Sequence, residues 1–325
     1  MVIAVTGASG HIGSNLARRL VKEGHSVRAQ YRTAATPLEA IDVEARAGDI
    51  LDPDFVSGFV RGAEIVFHLA AEISIAGDPT GSVRRTNVDG TRIVAQACLQ
   101  NNVRRVIHFS SIHAFEQLPR DERLDEQRSY VGPAAFAYDR SKADGERVIR
   151  EAVVRGLDAV IVNPTAVVGP VDFRPSSMGQ VVAAMARGQM PAIVDGGFDW
   201  VDVRDVVDGA VLAIEKGRRG QNYLLSGTWA SLQEIAGLVD AACGRPSRRL
   251  VLPIWMARAA VPLVALVARA GGAPPVFTRE SLAIVSECNR VISHSRASQE
   301  LGFRSRPLRE TIDTTVRWFI NNAYL

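Results

Sequence analysis

A glycine-rich turn near the beginning of the chain restricts the fold more than any other feature. The apolar run Val2–Val5 leads directly into Thr6-Gly7-Ala8-Ser9-Gly10-His11-Ile12-Gly13, and a helical pattern follows. Glycines at these spacings allow a tight turn, a close approach of the backbone to a pyrophosphate and close packing of the helix on the strand. Backbone N–H groups at the start of the helix would hold the negative charge. The motif therefore predicts a dinucleotide-binding βαβ fold.

Short apolar runs alternate with helical patterns through the first half of the chain. This succession is typical of βαβ units, which build a parallel sheet covered by helices on both faces. The predicted strands are Val2–Val5, Ser26–Tyr31, Glu64–Leu69, Arg105–Phe109 and Ala159–Val162, and the predicted helices are Ile12–Glu23, Val83–Gln100 and Ser141–Arg155. We predict an α/β fold, with a Rossmann-type doubly wound parallel sheet and a smaller, mostly helical C-terminal substrate domain.

Proline and glycine become frequent after Gly169, which indicates a change of architecture. The sequence predicts a nucleotide-binding domain over residues 1–168 and a substrate-binding domain over residues 169–325. Within the second part, Asp195 to Lys216 is predicted to be a loop followed by an apolar helix, and Asn222–Leu225 to be a strand. Residues 199–226 are therefore expected to return to the first domain.

Charge and cysteine content exclude several classes of protein. The net charge of +3, from 38 Lys and Arg against 35 Asp and Glu, is too small and dispersed for a nucleic-acid surface. The three cysteines are far apart and match neither a disulfide framework nor a metal site, which favours reduced thiols in a cytoplasmic protein. The expected partner is a small-molecule substrate. No signal peptide is recognisable. The apolar stretch over 250–270 contains two arginines and two prolines, so no membrane span is expected.

Lysine is rare among the 38 basic residues, and one of the three lysines, Lys142, lies four positions after Tyr138. Residues at this spacing share one face of a helix. A phenol, whose ordinary pKa is about 10, exchanges protons near neutrality only when a cation lies beside it. Lysine can also donate to ribose hydroxyls. Ser111, just after a predicted strand, would donate to a substrate oxygen, with its neighbour Ser110 as the alternative.

The end of the second predicted strand bears on the choice of cofactor. An acidic side chain there would bind the adenosine ribose of NAD, but the position is occupied by Tyr31 and followed by Arg32. A guanidinium suits a 2′-phosphate by its charge and its fork geometry. NADP(H) is therefore favoured, with NAD(H) as the alternative. Asp49 and Ile50, after a third predicted strand, are candidate adenine contacts.

Two histidines lie close to strand ends. His68 is part of the apolar run Val66-Phe67-His68-Leu69-Ala70-Ala71, where a structural role is favoured. His113 follows Ser111 by two positions and is a candidate contact on the substrate side.

Several motifs, taken together, resemble the extended short-chain dehydrogenase/reductase superfamily, which includes NAD-dependent epimerases and dehydratases. They are TGASGHIG at 6–13, Asp49, HLAA at 68–71, SS at 110–111, YDRSK at 138–142, NPTAVVGP at 163–170 and ASQELGF at 297–303. VRAQYR at 27–32 and PTAVVGP at 164–170 resemble the dihydroflavonol-4-reductase-like branch. FSSI at 109–112 resembles the 3β-hydroxysteroid-dehydrogenase-like branch.

The resemblance implies roles for individual residues. Ser111, Tyr138 and Lys142 would be the catalytic residues. The cofactor site would be lined by Gly7, Ser9, Gly10, His11, Ile12, Gly13, Arg32, Asp49, Ile50, Leu69, Ala70, Ala71, Lys142 and Pro164. Candidate substrate contacts are Ser110, His113, Asn87 and Ser177, with helix packing as the alternative role for Asn87. A homodimer is also implied.

Departures from the family motifs favour one chemistry over others. Sugar-nucleotide dehydratases carry an acidic pair where this chain has Ile112 and His113. Sugar-nucleotide epimerases usually present an arginine where this chain has Phe198, although Arg174, Arg187 or Arg204 would be able to replace it. We therefore expect an NADP(H)-dependent oxidoreductase that interconverts a ketone or aldehyde and an alcohol, on a fairly apolar substrate. The alternatives are a nucleotide-sugar epimerase and a nucleotide-sensing regulator without catalysis.

The apolar segment over 250–270 is a second indication of an apolar substrate. It contains Trp255, Met256, Val261, Leu263, Val264, Leu266 and Val267. The segment is predicted to be either a hydrophobic lid or two ordinary packed helices that are broken at Pro262.

Overall fold

The computed structural model of the protein describes residues 1–75, 77–246, 249–261 and 278–325. The strands in these ranges are β1 (Val2–Thr6), β2 (Ser26–Tyr31), β3 (Glu44–Ala47), β4 (Ile65–His68), β5 (Arg105–Phe109), β6 (Ala159–Pro164), β7 (Ala166–Val168), β8 (Ala192–Val194), β9 (Gly197–Asp202), β10 (Asn222–Leu225), β11 (Thr228–Ser231) and β12 (Leu250–Leu252). The helices are α1 (His11–Lys22), α2 (Pro53–Val60), α3 (Ser82–Arg84), α4 (Thr91–Gln100), α5 (Ala137–Val154), α6 (Ser177–Ala186), α7 (Val203–Lys216) and α8 (Leu232–Ala242), followed by Arg279–Glu287 and Leu308–Asn321. Shorter helical turns are Thr36–Leu38, Arg85–Gly90, Ile112–Ala114 and Ala297–Leu301.

Seven parallel strands form the central sheet, in the order β10-β6-β5-β4-β1-β2-β3. The order reverses between β1 and β4, which is the switch point of a doubly wound sheet. Ligands of such sheets bind in the crevice outside the carboxyl ends of the strands at this point. The predicted fold class is therefore confirmed.

Each face of the central sheet packs against its own layer of helices. On one face, α1 and α7 bury apolar side chains such as Leu16, Leu20 and Val206 against the strands. On the other face, α2, α4 and α5 contribute residues such as Phe59 and Ile149. The strands are buried on both sides, so they read in the sequence as continuous apolar runs rather than as alternating patterns.

The chain after β6 combines helices with two small sheets. Strands β11, β9 and β7 form one sheet, and β12 pairs with β8 in the other. A separate core, which includes Trp200 and Phe319, lies between these strands and the surrounding helices. The strand predicted at Asn222–Leu225 is β10 and pairs with β6 at the edge of the central sheet. The domain boundary near residue 168 stays a prediction.

Some predicted elements were wrong in detail. The predicted loop before α7 contains strand β9, whose six residues are all buried. This strand escaped prediction because its carboxylates, Asp199 and Asp202, look like loop residues in the sequence. Both are buried with hydrogen-bond donors around them, including Thr165 and Arg204. Helix α2 was also missed, although Asp52 caps its first N–H groups.

Candidate active site

The glycine-rich turn joins β1 to α1 at the switch point of the sheet. Gly7 has a positive φ of 66°, and a Cβ there would lie 2.7 Å from the backbone nitrogen of Ala70. A Cβ on Gly13 would lie 2.3 Å from the carbonyl oxygen of Gly7. Gly10 caps α1 in an extended conformation, so the first N–H groups of the helix point out of the turn without acceptors in the helix. This cradle admits an anionic group close to the backbone, as a dinucleotide pyrophosphate requires.

A buried glutamine holds the cradle in place. The amide oxygen of Gln30 accepts a hydrogen bond from the Gly7 nitrogen at 2.7 Å, and its amide nitrogen donates to the Gly48 carbonyl at 2.7 Å. Gln30 is 3% exposed within β2. The sequence analysis did not identify this role. A polar residue inside a buried strand is the signal that would have revealed it.

Residues after β2 and β3 surround the expected position of the adenosine. Arg32 is exposed directly after β2 and has no hydrogen-bond or ion-pair partner among the residues that the structure describes. Arg174, from the chain after β7, donates to the hydroxyl of Thr33 at 3.0 Å. The guanidinium groups of Arg32 and Arg174 therefore both come from residues beside the carboxyl end of β2. Asp49 accepts from the Leu51 nitrogen at 2.9 Å and shapes the turn after β3.

The remaining predicted cofactor residues lie at the carboxyl ends of neighbouring strands. Ile50 is buried and lies against Gly90. The nitrogens of Leu69 and Ala70 each lie 3.2 Å from the Thr6 hydroxyl, and Ala71 is exposed just beyond them. Pro164 is the last residue of β6. The strand order thus brings this part of the predicted set to one edge of the sheet, beside the glycine-rich turn.

Ser111, Tyr138 and Lys142 converge between the end of β5 and the start of α5. Lys142 is 6% exposed, and its Nζ donates to the Phe109 carbonyl oxygen at 3.1 Å. The same Nζ lies 5.9 Å from the centre of the Tyr138 ring. Ser111 is 7% exposed just after β5, and its hydroxyl is close enough to Tyr138 to influence the pKa of that phenol. The helix begins before Tyr138, at Ala137, and not at the predicted Ser141.

Burial has the largest effect on the titration of Tyr138 and Lys142 in the protein alone. It raises the pKa of Tyr138 above its ordinary value, while an interaction with the Ser111 side chain opposes the shift and the neighbouring Asp139 adds to it. Burial also lowers the pKa of Lys142 to about 8, against the opposing effect of Glu146. That Lys142 and a bound oxidised nicotinamide together favour the phenolate form of Tyr138 stays a prediction.

A buried carboxylate lies one helical turn beyond Lys142. Glu146 has no exposed surface and accepts hydrogen bonds from the Tyr130 hydroxyl at 2.7 Å, from Asn163 at 2.5 Å and from Asn222 at 2.6 Å. Asn163 also donates to the carbonyl oxygen of Ser111 at 3.0 Å. The network therefore connects α5 with β6, β10 and the segment that carries Ser111. None of these three partners of Glu146 was identified from the sequence.

His113 lies beside Tyr138 and Asp139. The two rings meet edge to face with their centres 6.0 Å apart, and Nδ1 of His113 is 3.3 Å from Oδ1 of Asp139. The backbone nitrogen of His113 donates to the Ser111 hydroxyl at 3.2 Å. His113 is part of the wall of a cleft that is lined by Ile112, His113, Gln117, Thr165, Ala166, Phe198, Asp199, Cys288, Asn289 and Ile292. The cleft therefore combines residues that follow β5 with residues from the later part of the chain.

The other predicted substrate contacts have different surroundings. The Asn87 amide donates to the Glu72 carbonyl at 2.9 Å and to the Ser141 hydroxyl at 2.8 Å, and it accepts from the Glu72 nitrogen. These bonds connect α5 with the segment around Glu72. The hydroxyl of Ser110 is buried and has no hydrogen-bond partner among the described residues. Ser177 is exposed at the start of α6.

His68 has the surroundings of a structural residue. Its two ring nitrogens contact the hydroxyls of Thr6 at 2.8 Å and Thr91 at 3.0 Å. Burial lowers the pKa of His68 to about 3, so the ring is neutral at physiological pH. This geometry agrees with the structural interpretation of His68.

The apolar segment predicted over 250–270 is described only in part. Trp255 and Met256 are 67% and 42% exposed, respectively. Residues 262–270, including Leu263, Val264, Leu266 and Val267, lie outside the described residues, so the choice between a lid and packed helices stays a prediction. No helix in the described ranges is long and apolar enough to cross a membrane. The described residues also contain no group of metal-ligating side chains.

Comparison with known proteins identifies the family. Residues 3–226 match the NAD dependent epimerase/dehydratase family. The chain belongs to this family. As a member of the extended short-chain dehydrogenase/reductase superfamily, it is an NAD(P)-dependent oxidoreductase, as the sequence predicted.

Individual relatives are similar over nearly the whole chain. Sterol demethylase protein B of Methylococcus capsulatus is 35% identical over 323 residues, which cover 98% of each chain. A Synechocystis protein assigned as a dihydroflavonol 4-reductase is 31% identical and covers 99% of this chain and 95% of its own. The crystal structure of a nucleoside-diphosphate-sugar epimerase from Pseudomonas aeruginosa is 25% identical, has a TM-score of 0.81, and covers 100% of this chain and 99% of its own.

Proposed function

We propose that this family member uses NADP(H) to interconvert a ketone or aldehyde and an alcohol, with Ser111, Tyr138 and Lys142 as its catalytic residues. The observation that carries the proposal is the convergence of these side chains at the carboxyl end of β5, with Lys142 Nζ 5.9 Å from the Tyr138 ring. This position faces the switch point of the sheet, where a dinucleotide bound by the glycine-rich turn would present its reactive ring.

Each of the three residues has a distinct role in the proposed reaction. The Ser111 hydroxyl donates a hydrogen bond to the substrate oxygen as negative charge develops there. The Tyr138 hydroxyl transfers its proton to that oxygen during reduction and recovers a proton during alcohol oxidation. The Lys142 ammonium stabilises the phenolate that remains and donates to ribose hydroxyls. When bound, the cofactor supplies or accepts the hydride.

The residues around the adenosine position favour NADP(H) over NAD(H). Arg32 is exposed and unpaired within the described part of the chain, and the side chain of Arg174 contacts the adjacent Thr33. Two guanidinium groups in this corner provide the charge and the fork geometry that a 2′-phosphate binds. The turn that contains Gly7, Gly10 and Gly13 would hold the pyrophosphate, because glycines without side chains let the ligand approach the backbone closely.

The cleft beside His113 favours a fairly apolar substrate. Its wall includes Ile112, Phe198 and Ile292, while Asp199 is a buried carboxyl group whose pKa is raised by burial. The arginines considered as replacements for the missing diphosphate ligand have other partners or positions: Arg187 donates to the Tyr324 carbonyl, Arg204 pairs with Asp202, and Arg174 lies beside Thr33 in the adenosine corner. Similarity to sterol demethylase protein B supports the same substrate class.

The proposal is tested by measuring NADPH oxidation with a panel of alicyclic and aromatic ketones. We expect Tyr138→Phe to lower kcat by a factor of about 10² to 10⁴, while NADPH still binds with unchanged affinity in a fluorescence titration. Tyr324→Phe is the matched control, because that hydroxyl donates to the Phe173 carbonyl far along the C-terminal segment. Full activity of the Tyr138→Phe variant would contradict the assigned role.

A nucleotide-sugar epimerase is the second candidate function. Similarity to the P. aeruginosa epimerase favours it, as does a neighbouring pocket that shares Cys288 with the cleft and contains Arg120 and Arg290. Arg290 lies over the Trp229 ring at 5.2 Å. Epimerisation of a UDP- or dTDP-sugar with no net change in cofactor absorbance would support this function over the first.

We also propose a homodimer, as the family resemblance implies, and a cytoplasmic location, which the three separated cysteines favour. Light scattering on the purified protein tests the dimer, and a mass near the 35.1 kDa of a single chain would contradict it.

A further inference from the structure

The segment over residues 170–174, which follows β7, begins against the helix that starts in the glycine-rich turn. The carbonyl oxygen of Pro170 lies 3.2 Å from Nε2 of His11 and 3.2 Å from Nδ2 of Asn15. A carbonyl oxygen only accepts hydrogen bonds, so the His11 ring donates from Nε2. The side chain of His11 is 5% exposed. Two side chains of α1 therefore hold the beginning of this segment.

Val171 adopts a conformation that depends on its surroundings. Its φ of 61° lies in the left-handed region, which is an outlier for a β-branched residue. Such a conformation persists only where the surrounding structure holds it. The Val171 carbonyl oxygen accepts a hydrogen bond from the Ser14 hydroxyl of α1 at 3.4 Å. The contacts with α1 therefore control the direction that the chain takes towards Arg174.

Asp172 joins the same segment to the start of α6. It is 1% exposed, and its Oδ2 accepts hydrogen bonds from the backbone nitrogen and the hydroxyl of Ser176, each at 2.8 Å. The same oxygen lies 3.9 Å from Nδ1 of His11. A Cβ on Gly179 would overlap this oxygen, so glycine leaves the room that the carboxylate occupies. His11 therefore contacts the segment through both of its ring nitrogens.

The end of the segment places Arg174 near the expected position of the adenosine. Its Nη1 donates to the hydroxyl of Thr33 at 3.0 Å, and Thr33 directly follows Arg32. Phe173 packs edge to face against Trp318, so the segment is also supported from the C-terminal helix. The Arg174 side chain itself is exposed. The course of the backbone, rather than burial of the side chain, therefore determines where this guanidinium lies.

We infer that His11 and Asn15 position Arg174 as a second ligand, beside Arg32, of the 2′-phosphate of NADP(H). This inference rests on the cofactor preference in the proposed function and assigns part of that preference to contacts between α1 and the chain after β7. His11 and Asn15 act through the backbone at Pro170, so they are positioning residues for the cofactor's phosphate.

The chemistry of the two cofactors makes this role measurable. A phosphate carries about 1.5 to 2 negative charges and three acceptor oxygens, and a guanidinium forms charge-assisted hydrogen bonds with it. NADH has a ribose hydroxyl at the same place and gains no such bond. Displacement of Arg174 therefore weakens binding of NADPH selectively, whereas damage to the glycine-rich turn weakens binding of both cofactors.

The experiment measures Kd for NADPH and for NADH by fluorescence titration of the purified protein at one ionic strength. The preference is Kd for NADH divided by Kd for NADPH. We expect Arg174→Ala to lower this preference by a factor of about five or more. Arg317→Ala is the matched control, because that exposed arginine pairs with Asp313 on the helix Leu308–Asn321 and should leave the preference unchanged.

A double-mutant cycle tests whether His11 acts through Arg174. His11→Phe keeps an aromatic ring but removes the N–H group that donates to Pro170. It should lower the preference about threefold or more when Arg174 is present, and by less than a factor of about 1.5 in the Arg174→Ala protein. Asn15→Leu should show the same pattern from a position outside the glycine-rich turn. His25→Phe is the control, because His25 precedes β2 at the opposite end of the parallel strands.

The outcomes separate the two proposals. If the wild-type protein binds NADH as tightly as NADPH, the proposed cofactor preference fails and this inference fails with it. If the wild-type protein prefers NADPH but Arg174→Ala keeps the full preference, only the present inference is overturned. The same holds if His11→Phe and Asn15→Leu leave the preference unchanged, or lower it equally with and without Arg174. Because Arg174 is exposed, its variant alone can refute the inference without depending on the folding of the others.

Discussion

Lys142 should make the stability of the protein depend on pH in a way that one substitution removes. Burial lowers its pKa to about 8 from an ordinary value of 10.5, and Glu146 opposes the shift. At pH values between about 8 and 10.5, the lysine binds more protons in the unfolded chain than in the folded protein. The free energy of unfolding therefore rises with pH across this interval, and the lysine destabilises the fold fully only below about pH 8.

The size of the effect follows from the shift. One pKa unit corresponds to about 1.4 kcal/mol, so integration between pH 7 and pH 10 gives about 2 to 3 kcal/mol. Lys142→Met removes this titration. The variant also loses the hydrogen bond from Nζ to the Phe109 carbonyl and changes the packing, but these contributions act at both pH values. These contributions cancel when the difference in free energy of unfolding between wild type and variant at pH 10 is compared with the same difference at pH 7.

Urea unfolding of both proteins at pH 7 and pH 10 measures this quantity. We expect the free energy of unfolding of the wild type, relative to Lys142→Met, to increase by about 2 to 3 kcal/mol from pH 7 to pH 10. Lys22→Met is the matched control, since Lys22 is exposed at the end of α1, and should show no such increase. A wild-type-minus-variant difference that stays the same at both pH values would refute the reasoning that Lys142 is desolvated.

Three further predictions concern the cofactor site and the buried network. Arg32→Ala should raise KM for NADPH at least tenfold and leave KM for NADH within a factor of about three, as initial rates with both cofactors would show. Equal changes in the two KM values would contradict binding of the 2′-phosphate by Arg32. Gly13→Ala should abolish NADPH binding in a fluorescence titration, because its Cβ would lie 2.3 Å from the Gly7 oxygen, whereas Gly58→Ala meets nothing within 4 Å and should bind normally. Glu146→Gln should lower the free energy of unfolding by about 3 kcal/mol, because an amide replaces a carboxylate that accepts three hydrogen bonds; a loss no larger than that of the exposed Glu151→Gln would contradict this.

Local spacing explains why so much of the sheet was predictable. The turn from β1 to α1 and the four-residue interval between Tyr138 and Lys142 are contacts between near neighbours in the chain, so they are visible as motifs. Strands such as β5 and β6 are buried on both faces and appear as apolar runs. Strand β9 was hidden because its buried carboxylates obtain hydrogen-bond donors that the sequence does not display, including Thr165 for Asp199 and Thr311 for Asp202.

The doubly wound α/β fold, the dinucleotide cradle and the family were predictable from the amino-acid sequence, because each depends on short-range spacing and on which residues are apolar. The surroundings of Ser111, Tyr138 and Lys142 depend instead on contacts between distant parts of the chain. Glu146 meets Asn222 across 76 positions, and Gly77 meets Glu280 across 203. Such contacts follow from strand order and from how the substrate side packs on the sheet. Burial belongs to the same category: the spacing shows that Lys142 is near Tyr138, but burial, which the sequence does not display, is the largest influence on the pKa of Tyr138.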